Sequence, residues 1–163
     1  MGVIYVLGVS SLGAYGLLTA GWGSGNKYSL MGALRASAQM ISYELAMGLS
    51  IVGIIMVYGT FDFKEMIAAQ AGPLKFAWMS EPVSFLPNWG IFYQPLGALL
   101  FLVSAFAESN RLPFDLPESE GELVAGFHTE YGGFKMLLFF MGEYGHMMVG
   151  GALLSVFYLG GYA

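Results

Sequence analysis

Two acidic side chains stand in stretches that otherwise carry no charge. Glu44 lies within "RASAQMISYELAMGLSIVGIIMVYG" and Glu143 within "KMLLFFMGEYGHMMVGGALLSVFYLGGYA". A carboxylate at the centre of a bilayer costs at least ~2.5 kcal/mol on the insertion scale, so such residues face protein or water and tend to mark ion or proton paths. Glu44 follows Arg35 by nine residues and Glu143 follows Lys135 by eight, so both reach a similar depth, ~13 Å at ~1.5 Å per residue. The other reading is a carboxyl that stays protonated and bonds to a neighbouring helix. On a helical wheel Ser37, Glu44 and Gly48 share one stripe, and Glu143 and Gly150 share another. Small residues let helices approach closely, so both carboxyls are expected to face a helix bundle. Glu143 and His146 form Glu-x-x-His, a spacing that supplies two metal ligands in di-iron bundles. The motif occurs once here, so no metal is expected, and His146 reads as a polar packing residue or a neighbour of the proton path.

A third concentration of acids lies in "AESNRLPFDLPESEGEL", which holds Glu108, Asp115, Glu118, Glu120 and Glu122, with Glu130 shortly after. Against these six acids stand Arg111 and Lys135, a balance of 2 − 6 = −4 within a chain whose formal charge is −5. Asp115, Pro117 and Glu118 resemble a helix start with a side-chain cap and a proline in the first turn. Glu118 and Glu122 would then stack one turn apart and repel. Two readings stay open: a solvated acidic loop, or a folded re-entrant segment lining a cavity, where non-helical backbone is tolerated at membrane depth. Pro113, Phe114, Leu116, Pro117, Leu123, Val124 and Phe127 would give it a rigid apolar scaffold. In a cavity, coupled carboxyls would titrate as a group.

The elements that must position these groups follow from the charge map. Hydrophobic residues make up 56% of the 163 residues and charged ones 10%, where soluble domains carry roughly 25% charged residues. No charge precedes Lys27, only Glu44 lies between Arg35 and Asp62, none lies between Glu81 and Glu108, and only Glu143 follows Lys135. A helix needs ~20 residues to cross ~30 Å of hydrocarbon. The expected fold is therefore all-α and polytopic, a single membrane domain over 1–163 with spans near 2–21, 36–59, 89–107 and 136–160 and a structured acidic loop over 108–135.

Between the spans, "AGWGSGNKYS" breaks the first helix and places Trp22 at a headgroup belt. "FDFKEMIAAQAGP" has a capping-box-like Asp62 and Glu65, which suits a short helix on the membrane surface. Pro82, Pro87 and Asn88 argue against a helix start before Trp89. Lys27, Arg35, Arg111 and Lys135 outnumber Lys64 and Lys75, which places the acidic loop on the cytoplasmic or matrix face. The apolar start lacks the basic region of a secretory signal, and the chain reads as the middle of a longer membrane protein. It holds no cysteine, so thiolate ligation of an iron–sulfur cluster is excluded within it and any redox centre is expected in a partner.

"AESNRLPFDLPESEGELVAGFHTEYGGFKMLLFFMGEY", with "GWGSGNKYSLMGALRASAQMISYE" upstream, resembles the quinone-site membrane subunit family of proton-translocating NADH-quinone oxidoreductase, respiratory complex I. The resemblance covers essentially the whole chain and corresponds to the third to sixth of about eight transmembrane helices. It implies a loop lining a quinone chamber, at the positions matching Glu108, Arg111, Asp115, Glu118, Glu120, Glu122 and Glu130, with Phe127 beside them. Arg111, Asp115, Glu118, Glu122 and Phe127 would contact the quinone side. Glu44 and Glu143 match intramembrane acids that carry the response onward, so the acids together would form a proton relay.

The resemblance further implies quinone as substrate and no cofactor held by this chain, with NADH, FMN and iron–sulfur clusters handled by partner subunits. The partners would be peripheral-arm subunits, neighbouring small membrane subunits and the lipid bilayer, with no nucleic acid, in a bacterial inner membrane or an organellar one. The alternatives are the homologous anchor subunit of a membrane-bound hydrogenase, and an independent channel or structural membrane protein.

Overall fold

A computed structural model of the chain describes residues 2–74, 83–110, 114 and 131–162. The chain is a helical, polytopic integral membrane protein. Its elements are α1 (Gly2–Ser10), α2 (Leu12–Gly23), α3 (Lys27–Tyr58), α4 (Phe63–Gln70), β1 (Pro73–Leu74), β2 (Val83–Pro87), α5 (Gly90–Tyr93), α6 (Pro95–Glu108) and α7 (Phe134–Tyr158). Among the described residues, three helical stretches are long and apolar enough to cross a membrane: Gly2–Gly23, Lys27–Tyr58 and Phe134–Tyr158. The first is α1 and α2 running almost as one rod. Ser11 at their junction keeps right-handed helical angles, and its hydroxyl bonds back to the Leu7 carbonyl at 3.0 Å, an arrangement that bends helices.

The second span differs from its expected start near residue 36. Asn26 accepts a hydrogen bond from the Tyr28 amide at 3.0 Å, and this cap starts α3 at Lys27. A charge gap marks where lysine and arginine stop, and long basic side chains can ride on a helix with their heads drawn to the interface. Glu44 consequently sits near the middle of a 32-residue helix.

The third span, expected over 89–107, is divided. Gln94 leaves helical angles because the following Pro95 disfavours them, and this separates the single turn of α5 from α6. With 14 residues, α6 is only ~21 Å long at ~1.5 Å per residue. It packs along α3, and Ala98, Phe101, Ser104 and Ala107 are among its buried residues.

One half of the bundle is mainly apolar. Val3, Met47, Ile51, Ile54, Met66, Ala98, Phe101, Leu153, Phe157 and Tyr158 form the core, and they come from the ends of the long helices nearest α4. The expected surface helix is α4, but Met66, Ile67 and Gln70 are buried against protein. Its amphipathic face docks on the end of α7 instead of on lipid. Asp62 caps it through the Lys64 amide, while Glu65 bonds Thr60 rather than closing a capping box. Gln70 is the fastener: its amide donates to the Val156 carbonyl at 2.7 Å, and its oxygen accepts from Gly90 at 3.2 Å and Gly160 at 2.9 Å. Beyond the all-α expectation, β1 and β2 pair as a two-stranded antiparallel ribbon.

Candidate functional site

The polar groups collect where the apolar core stops. Helix α6 ends at Glu108, and Asn110 adopts the left-handed conformation (φ 49°) that closes the helix. That end lies inside the bundle. Gln39, twelve residues into α3, donates to the Ala107 carbonyl at 2.8 Å and the Phe114 carbonyl at 2.9 Å. His146, twelve residues into α7, contacts Glu108. Twelve residues correspond to ~18 Å of helix, so α6 stops well short of the ends of its neighbours. Carbonyls freed at a helix terminus need partners, and a buried Gln39 supplies them.

The acid-rich segment therefore leaves α6 within the bundle. Phe114 stays at that level, its ring edge-on to Tyr43 at 5.2 Å. By Tyr131 the chain has reached the end of α2, where the phenol donates to the Ala20 carbonyl at 2.7 Å. Arg111, Asp115, Glu118, Glu120, Glu122, Phe127 and Glu130 lie outside the described residues.

Glu108 is 6% exposed and its Oε1 lies 2.6 Å from His146 Nε2. Ser10 completes a triangle, donating to Glu108 Oε1 at 3.2 Å and standing 3.1 Å from His146 Nε2. A carboxyl and an imidazole this close share one proton along a charge-assisted hydrogen bond, whichever group formally holds it. Removed from water, such a bond gains strength, and leaving it half satisfied would be costly. The neighbouring Ser11 donates to Glu44 Oε1. Two consecutive serines thus face two different carboxyls, on α6 and α3.

A cavity of about 290 Å³ opens beside the triangle, lined by Glu108, His146 and Glu143 among polar groups and by Gly13, Gly16 and Gly142 where backbone forms the wall. Of the acids singled out from sequence, the structure brings Glu108 and Glu143 to one cavity, while Glu44 reaches the junction through Ser11. Among the described residues no group of three or more acidic or imidazole side chains is arranged to hold a metal.

Sequence reasoning assigned Glu108 to the loop and gave Ser10, Ser11 and Gln39 no role in a site. The signal for the serines was present, since Ser10-Ser11 is a polar pair deep in an uncharged apolar run. Gln39 carried no signal, because an uncharged amide near a helix start is ordinary.

Comparison with known proteins gives the family. The chain is 68% identical to the NADH-quinone oxidoreductase H-subunit of Bdellovibrio bacteriovorus over 99% of its own length and 43% of that protein. It is 49% identical to an NADH-quinone oxidoreductase H-subunit of Cytophaga hutchinsonii, again over 99% of its length and 43% of the relative. It is 46% identical to NADH-quinone oxidoreductase subunit 8 of Rhodothermus marinus, over 99% of its length and 45% of the relative. The chain thus spans less than half the length of these curated relatives. The family described as NADH dehydrogenase matches residues 1–163, and the chain belongs to it.

Proposed function

We propose that the chain is part of the membrane subunit of a proton-translocating NADH-quinone oxidoreductase of a bacterial inner membrane, where it couples quinone reduction to proton movement. The observation that carries this reading is the Glu108–His146–Ser10 triangle at the inner end of α6, open to a cavity that Glu143 also lines. Its volume of about 290 Å³ is large enough to admit water beside these polar groups. Electrons would come from iron–sulfur clusters of partner subunits, which also carry FMN and receive NADH. The chain's own groups would not touch them. Reduction of the quinone generates negative charge that must be protonated. The acids at Asp115, Glu118, Glu120, Glu122 and Glu130, with Arg111 and Phe127, would face that chamber on the cytoplasmic side, and Glu108 would receive the change where the segment leaves α6. Glu44 and Glu143 would pass it into the membrane arm.

Glu44→Gln and Glu143→Gln, each in the assembled complex, should lower coupled quinone turnover and proton pumping by about three- to tenfold, the size of a ~0.7–1.4 kcal/mol change in coupling. NADH oxidation by an artificial acceptor, carried out in the partner subunits, should persist. Wild-type pumping in both variants would remove the relay role. Glu118→Ala combined with Glu122→Ala should lower quinone reductase activity by at least about tenfold, in keeping with two general acid–base groups, with the complex still assembled on a native gel. Assembly failure alone would mark the segment as structural.

A further inference from the structure

We infer that Ser10 and Ser11 form a hydroxyl switch at the α1–α2 junction, through which the protonation of Glu44 and that of the Glu108–His146 pair influence each other. The inference rests on the reading of these acids as proton carriers and adds the device that links them. Its basis is a count of hydrogens. A serine hydroxyl has one hydrogen to donate and can accept as well.

Ser11 has two acceptors in reach, the Leu7 carbonyl at 3.0 Å and Glu44 Oε1. It can donate to only one at a time. When Glu44 is ionised, the hydroxyl donates to the carboxylate and the Leu7 carbonyl loses that bond. When Glu44 takes up a proton from water or from a neighbouring acid, its own O–H donates to Ser11 Oγ, and the serine hydrogen turns to Leu7. The second state strengthens the back-bond that bends a helix at serine. Protonation at Glu44 is thereby converted into a change in the junction between α1 and α2.

Ser10 is the adjacent residue of the same junction, and its hydroxyl touches the pair that shares a proton. Its hydroxyl stands 3.2 Å from Glu108 Oε1, to which it donates, and 3.1 Å from His146 Nε2, and these two atoms share a proton at 2.6 Å. If the shared proton sits on the imidazole, the hydroxyl donates to the carboxylate. If it sits on the carboxyl, its O–H fills the single lone pair of Nε2 and the hydroxyl keeps Oε1, now a weaker acceptor, so the Ser10 bond follows the position of the proton. A bend at Ser11 shifts Ser10 relative to both. The titratable side chains around the junction are Glu44 on α3, Glu108 on α6, and His146 and Glu143 on α7. The serines themselves remain neutral, which lets them turn without a charge penalty. Coupling between sites must act in both directions, so the state of Glu108–His146 biases Glu44 equally.

The test is a set of variants in the full complex in membrane vesicles: S11A, S11T, S10A, E44Q, and the doubles S11A/E44Q and S10A/E44Q. Quinone-dependent NADH oxidation and pumping are measured across the near-neutral pH range and normalised to assembled complex on a native gel. S11A is expected to lower turnover at least about threefold, as for loss of one coupling contact, and to displace the pH profile. S11T keeps the hydroxyl and should restore the profile. With Glu44 unable to titrate, Ser11 has nothing to transmit, so S11A/E44Q should not fall below E44Q by the factor seen in S11A, whereas S10A/E44Q still loses the Ser10 bond to Glu108 and should fall below E44Q. Losses that multiply in S11A/E44Q, or an S11T variant as impaired as S11A, overturn the switch. An impaired E44Q beside an S11A variant with wild-type turnover and profile overturns the switch alone. A silent E44Q removes the proton-carrier reading, and the switch with it.

Discussion

Glu108→Gln is expected to lower quinone-dependent turnover of the assembled enzyme by more than about tenfold, where each factor of ten is ~1.4 kcal/mol of barrier. The substitution keeps the size of the side chain and a hydrogen-bonding oxygen for Ser10, but it cannot share a proton with His146 Nε2, 2.6 Å away in the native pair. The effect should exceed that at Glu44 or Glu143, because Glu108 alone among these acids stands at the point where the acid-rich segment leaves α6. It is also the most completely buried of the acids that the structure describes. His146→Ala should reproduce most of the loss and gain little further damage when combined with Glu108→Gln, since the two act as one unit. The measurement is quinone reductase activity against pH, normalised to assembled complex. Turnover within about twofold of wild type, less than ~0.5 kcal/mol, would exclude the pair from the coupling path. Glu108→Ala is the harsher variant: breaking a buried pair by removing one partner costs about 3–5 kcal/mol, and it should reduce assembly as well.

The second large effect is expected at Gly21. A Cβ there would lie 2.2 Å from the Ala33 Cβ and 3.1 Å from the Ser29 carbonyl oxygen. Neither obstacle is the end of a flexible side chain, so α2 and α3 would have to separate. Overpacking of this kind costs ~1–3 kcal/mol or more, and here it acts on the contact that sets α1–α2 against α3 and so places Ser10 and Ser11. Gly21→Val should therefore abolish accumulation of the assembled complex, read by native gel and by the loss of membrane quinone reductase. Gly8→Ala, where an added Cβ meets nothing within 4 Å, should leave assembly unchanged within the ~0.5 kcal/mol typical of neutral sites. Equal assembly in both variants would contradict the close packing of α2 on α3.

Several parts of this organisation are legible without coordinates. Long uncharged runs identify a membrane protein because a helix in hydrocarbon must satisfy its own backbone and carry apolar side chains. Glu44 and Glu143 stand out for the same reason in reverse, and Glu108 is visible as the first acid of the dense segment. The boundaries are less legible. Lys27 and Arg35 sit on α3, so charge does not mark its start, and the Gln94-Pro95 break shortens α6 inside a run that composition alone reads as one span.

Composition, charge spacing and the long motifs were enough to establish a polytopic helical membrane chain, the acids worth asking about and the family they resemble. These are properties of local sequence: hydropathy accumulates residue by residue, and a lone carboxylate in an apolar run is conspicuous wherever the helix later packs. Which acid meets which partner was decided only by tertiary structure. Glu108 joins His146 and Ser10 across separations of 38 and 98 positions, Gln39 holds the end of α6 across 68, and α4 buries its apolar face on α7 instead of lipid. Contacts of that kind depend on where each helix stops and how closely its neighbours approach, and a terminus inside the bundle becomes visible only when the surrounding helices extend past it.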